Sequence, residues 1–128
     1  MNIIQTVTVK QVLTENSKKE LLEGYAAKKK QLQKESDQLR FELKKQEKTK
    51  KLHPASLKQH FEKEIQLRQE KVQLLDFQIE QLHMLPLGSE LKEKEVQAII
   101  EVQKGTAWED IEKGKTIIIR DGIVDEIR

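Results

Sequence analysis

Phe61, Ile65, Arg68, Val72, Leu75, Ile79 and Leu82 follow one another at alternating intervals of four and three residues. Such a run returns to one side of an α-helix every two turns and lays down a narrow seam that a second helix must cover. The chain supplies that helix itself. Leu22, Tyr25, Lys29, Leu32, Ser36, Leu39 and Leu43 repeat at intervals of three and four. Between the runs stands His53-Pro54, where proline drives the preceding residue out of the helical region and itself suits a first helical turn. Folding about Leu52 pairs positions whose numbers sum to 104. The layers become Leu43–Phe61, Leu39–Ile65, Ser36–Arg68, Leu32–Val72, Lys29–Leu75, Tyr25–Ile79 and Leu22–Leu82, and five of the seven are wholly apolar. The pattern predicts an intramolecular antiparallel coiled-coil hairpin, with a helix over 17–50, a turn at 51–54 and a helix over 55–85. At the rise of an α-helix each arm is roughly 45 Å long. In the mixed Ser36–Arg68 layer, the arginine stem packs between leucines while its head bends out toward Glu35 or Asp37.

The flanks change period. Residues 3–13 alternate as a strand, with Ile3, Val7, Val9 and Leu13 on one face and Thr6, Thr8 and Lys10 on the other. Ser17-Lys18-Lys19-Glu20 reads as a capping box opening the first helix. Gly24 is the one residue before Lys50 that weakens that helix, and Pro86-Leu87-Gly88-Ser89 stops the second. Val96 to Gln103 is rich in β-branched residues. Thr116–Arg120 and Ile123–Ile127 flank Asp121-Gly122, the dipeptide of a two-residue hairpin whose type I′ turn needs positive φ at both positions. The fold class is therefore α+β: a long antiparallel coiled-coil helical hairpin, residues 17–85, inserted in a small β domain formed by both termini, residues 1–16 plus 86–128. About 59 residues in roughly four strands make a marginal β domain unless it closes into a barrel or packs on a second copy, so a homo-oligomer is expected.

Over the whole chain these features resemble the YlqD family of short bacterial proteins. The resemblance rests on the opening Ile4-Gln5-Thr6-Val7-Thr8-Val9-Lys10, the central hairpin, the Leu85-Pro86-Leu87-Gly88-Ser89 turn and the closing Ile119-Arg120-Asp121-Gly122-Ile123-Val124. None of these motifs is catalytic, so the resemblance carries over no functional residues. Genes of that family often lie beside genes for ribosome maturation and RNA-binding proteins, which implies a link to ribosome biogenesis.

Composition narrows the chemistry. Charged residues make up 36% of the chain and aromatics 4%, too few core-forming side chains for one compact globule of 128 residues. The net charge of +2 is uneven, with 12 Lys/Arg against 6 Asp/Glu over 17–52 and 7 against 10 over 86–128. There is no cysteine, hence no disulfide and no thiolate metal site. The opening ten residues lack the basic and apolar regions of a secretory signal, and no apolar run approaches the roughly 20 residues that span a bilayer. A cytoplasmic protein with no membrane partner is expected.

Catalytic and metal-binding groupings are incomplete. His60 and Glu64, four apart, could share a cation only with a third ligand, and Glu80 with His83 is equally partial; both read as surface pairs. No serine sits in a nucleophile elbow and no phosphate loop is present. The expectation is a protein without catalytic residues, metal or cofactor. Lys44, Lys45, Lys48, Lys50 and Lys51 crowd the expected tip of the hairpin, either as a solvated end or as a contact for a phosphate backbone. Without interleaved aromatics they do not form a base-stacking platform. Trp108 reads first as an anchor of the small β core and second as an exposed partner contact. Phe41 and Phe77 fall off the seam, as lone surface residues or as parts of a second seam used in oligomerisation. The leading expectation is a scaffold or interaction protein, self-associating through the β domain, with its other protein partner unspecified. The alternative is an RNA- or ribosome-associated factor using the basic tip.

Overall fold

A computed structural model describes residues 1–49 and 54–128. The element order is β1 (Asn2–Val12), α1 (Glu15–Thr49), α2 (Pro54–Met84), β2 (Glu90–Glu101), α3 (Trp108–Glu112), β3 (Lys115–Arg120) and β4 (Ile123–Ile127). The fold class is α+β, with two long helices as a hairpin and a four-stranded sheet drawn from both ends of the chain. Two compact units result, one of residues 1–19 with 85–128 and the other of residues 20–84.

The sheet has the order β2-β1-β3-β4. β1 pairs antiparallel with β2, from Asn2↔Glu101 to Val12↔Glu90, and parallel with β3, from Val7↔Lys115 to Gln11↔Ile119. Being central, β1 carries most of the core: Val7, Val9 and Leu13 are buried, as the alternation requires, and Gln5 joins them on that face. Val12 and Ile118 are buried on the opposite parity, so the middle of the sheet is covered on both faces. β2 begins six residues before the apolar run at Val96, because an edge strand tolerates the alternating charges of Lys92, Glu93, Lys94 and Glu95. Both edges carry an irregularity, Glu93 in β2 and Asp125 in β4 each lying between residues that pair across a register shift. The Asp121-Gly122 turn has the positive φ expected at both positions, 48° and 79°.

Two backbone hydrogen bonds, Leu13 N–H to Ser89 O and Gly88 N–H to Leu13 O, both 2.7 Å, join the end of β1 to the loop preceding β2. Arg128 forks onto Glu90, its two terminal nitrogens donating to the two carboxylate oxygens at 2.8 and 2.6 Å. This ion pair ties the residue after β4 to the first residue of β2, and it holds the Glu90 carboxyl below the usual carboxylate range. The first helix opens at Glu15, two residues before the expected Ser17–Glu20 box. Thr14 Oγ1 accepts the Ser17 amide at 3.1 Å and Ser17 Oγ accepts the Thr14 amide at 2.8 Å, a reciprocal cap with serine in the glutamate's place. Thr14 Oγ1 also donates to Asp121 at 2.6 Å, locking the cap onto the β3–β4 turn.

Within the helical unit every seam position named from the sequence is shielded, with Ser36, Ile65, Leu75 and Leu82 buried and the others half-buried. Two cross-helix ion pairs lie within one residue of the expected register: Lys29 Nζ–Asp76 Oδ1 at 2.6 Å and Arg68 Nε–Glu35 Oε2 at 3.6 Å. Lys50, Lys51 and His53, with most of the turn placed at 51–54, lie outside the described residues.

Candidate interaction surfaces

In the sheet unit, Ile4 and Ile99 are direct cross-strand partners with nothing over them, 67% and 75% exposed. They share a face because directly opposed residues of paired strands point the same way. Beside them an open groove is lined by Ile4, Thr6, Thr8 and Trp108. Trp108 does not anchor the core; it opens α3, a helix of five residues with no buried side chain, and is 63% exposed. α3 is held instead by its backbone, where Gln5 Nε2 donates to the Ile111 carbonyl at 2.7 Å. One bond cannot bury an indole, and the ring is left in solvent. Gln5 Oε1 is buried without a partner among the described residues. β4 adds Ile123, Val124 and Ile127, all exposed on an edge strand whose outer N–H and C=O groups are unpaired within the sheet.

In the helical unit, Lys44, Lys45 and Lys48 are exposed at the end of α1, and none has an ion-pair partner among the described residues. Phe41 and Phe77 are both exposed and the hairpin does not bring them together; its register sets Phe41 opposite residue 63, roughly 20 Å along the axis from Phe77. Phe77 keeps other company on α2, where Leu67, Leu74 and Met84 are exposed as well. Ile4, Ile99, Leu67, Leu74 and Met84 were legible only as ordinary members of strand and helix patterns. The signal for the last three was their spacing relative to Phe77.

Glu64 turns from His60 to Arg68, accepting from its Nη1 at 2.9 Å, and this hydrogen bond holds the Glu64 carboxyl below its usual range. His60 packs its ring edge against Phe61, centroids 5.9 Å apart. Among the described residues no three His, Asp or Glu side chains are grouped to hold a metal ion, and no helix is long and apolar enough to cross a membrane.

A helical hairpin whose two ends feed a four-stranded mixed sheet defines the structural class. The family profile described as YlqD protein matches residues 1–128. The Bacillus subtilis (strain 168) protein YlqD is 48% identical over 128 residues, covering 100% of this chain and 98% of that one. The chain belongs to the YlqD family. A crystal structure of a Synechococcus sp. WH 8102 protein of unknown function superposes with a TM-score of 0.86 at 19% identity, over 100% of this chain and 96% of that one. The fold thus persists where four residues in five have changed.

Proposed function

We propose that this protein is a non-enzymatic scaffold that self-associates through its sheet unit. The observation that supports it is the patch of Ile4, Ile99 and Trp108, three large apolar side chains each more than three-fifths exposed on a sheet with two open edges. A tryptophan left in water beside Ile4, whose cross-strand partner is Ile99, is a large apolar contact area with a directional N–H, the combination that dominates protein interfaces. Charge on both edges and the irregularities at Glu93 and Asp125 oppose edge-to-edge pairing, so the face is the more favourable contact. Trp108 is the single tryptophan of the 128-residue chain and reports on this directly. Its emission shifts to the blue as concentration rises, while the Ile4→Glu/Ile99→Glu variant keeps the emission of a solvated indole. A wild-type spectrum independent of concentration overturns the reading.

A second reading, association with RNA or the ribosome, is favoured by one observation: Lys44, Lys45 and Lys48 are exposed together without carboxylate partners among the described residues. Phosphate binding of this kind weakens steeply between low and moderate salt, whereas apolar contacts between proteins do not. Ribosome co-sedimentation across a salt series, with and without nuclease, separates the two.

A further inference from the structure

Leu67, Glu70, Leu74, Phe77, Gln81 and Met84 recur on α2 at intervals of three, four, three, four and three, and all six are exposed. They form a second seam on the exposed side of α2, with Leu74 at its border, across an open groove from Lys28, Gln31 and Leu32 of α1. Its order is its own mirror image. Leu67 and Met84, Glu70 and Gln81, and Leu74 and Phe77 are each placed symmetrically about the point between residues 75 and 76. We propose that α2 docks antiparallel on α2 of a second copy of this chain, about a twofold axis through that point.

In this arrangement Leu74 meets Phe77 of the second copy, Leu67 meets its Met84, and Glu70 meets its Gln81. Each contact occurs twice, as an isologous interface requires, so four of the six layers are wholly apolar. The seam spans about 26 Å of helix. A twofold axis across the helices sets like flank against like flank. Gln73 therefore faces Glu80 on one side and Lys71 faces Gln78 on the other, with no like charges opposed. Parallel pairing is disfavoured because it stacks Glu70 on Glu70 within the seam. The outer face of α1 is a poor alternative occupant, since its exposed large apolar residue is Phe41 alone.

This contact is separate from the sheet patch, and one experiment tells them apart. Sedimentation equilibrium is run on the full chain in the Ile4→Glu/Ile99→Glu background, where the sheet patch is removed. The expected species has twice the 15.0 kDa chain mass. Leu74→Lys and Phe77→Glu, added singly, each raise the dissociation constant about tenfold or more. Mixing the two variants restores association, because the heterodimer sets the introduced lysine against the introduced glutamate in one central layer and keeps Leu74 against Phe77 in the other. Leu74→Lys mixed with Met84→Glu gains nothing, since those positions do not meet. Unchanged circular dichroism checks that the helices persist. A monomer in the background variant, single variants that keep the dimer mass, or a Leu74→Lys and Phe77→Glu mixture no tighter than its components overturns the proposal. Failure of the sheet reading shows separately, as an unsubstituted protein whose mass the Ile4 and Ile99 changes leave untouched.

Discussion

Arg68, with Ser36 and Lys29, is one of the residues at which the hairpin departs from a plain apolar seam. Its guanidinium is committed on one side to Glu64, through the Nη1 bond at 2.9 Å, and on the other to Glu35 at 3.6 Å, beyond hydrogen-bond range. Nε is consequently buried without a hydrogen-bond partner among the described residues. Holding a cation at a seam position with one donor unmet costs more than an apolar side chain of similar length would. Arg68→Leu is expected to raise the melting temperature by a few degrees at pH 7. The Glu64 carboxyl is held below its unfolded value of 4.5, so the stability it contributes is present above that pH and lost as the pH falls through the folded value. Arg68→Leu removes this linkage, and its advantage over wild type widens between pH 7 and pH 3. A variant that melts lower than wild type at both pH values shows that the Arg68 contacts outweigh their cost. Glu35 as a partner was legible from the register. Glu64 as a partner was not, although it lies one helical turn away, because the register points only across the hairpin and not along the same helix.

Among elements, the junction of β1 with α1 shows how a local pattern misplaces a boundary. Ser17-Lys18-Lys19-Glu20 fits the preferred box, yet the helix starts at Glu15 because Thr14 and Ser17 cap each other and Thr14 is tied to Asp121. That tie spans more than a hundred residues of sequence, beyond the reach of any local reading. Thr14→Ala removes both bonds and is expected to lower stability by about 1–2 kcal/mol, measured by urea unfolding. A second boundary lies at Gly114, where φ is +70° and a Cβ would stand 3.0 Å from the Thr6 carbonyl. The positive φ disfavours any other residue, and a Cβ there would press on the Thr6 carbonyl, which would have to give by a few tenths of an ångström. Gly114→Ala is expected to cost about 1–2 kcal/mol, with amide exchange in β3 accelerating first. β2 was found from its β-branched half only, since alternating Lys and Glu have low strand propensity and are placed there by pairing with β1.

At the scale of the whole molecule, the helical hairpin and a sheet built from both termini were legible because each rests on a period, a heptad for the arms and alternation for the strands. The parallel pairing of β1 with β3 was not, since nothing local marks a strand for a neighbour more than a hundred residues away. The candidate surfaces divided in the same way. The lysines of α1 were visible as a run of charge, whereas the Ile4–Ile99 pair exists only once β1 and β2 are in register. Reversing charge at Lys44, Lys45 and Lys48 to Glu is expected to leave the melting temperature nearly unchanged and to abolish any salt-sensitive binding to ribosomes. Unchanged co-sedimentation would remove those lysines from the second functional reading.

The two short hydrogen bonds between Leu13 and the Gly88–Ser89 turn carry a consequence for time. They close a loop of about 75 residues, and for a flexible chain that closure costs roughly 4 kcal/mol of entropy. The hairpin changes the problem, because α1 and α2 assemble by contacts that begin where α1 ends and α2 starts and deliver residue 88 back toward residue 13. Assembly of the arms should therefore precede the sheet. Ile65→Ala, in the seam, is expected to slow folding, whereas Ile118→Val, in β3, chiefly hastens unfolding. Stopped-flow kinetics that gave the opposite order would mean the strands meet first across an unformed loop. In the expected order, β1 is made early and waits as an unpaired strand until its helices have brought its partners home.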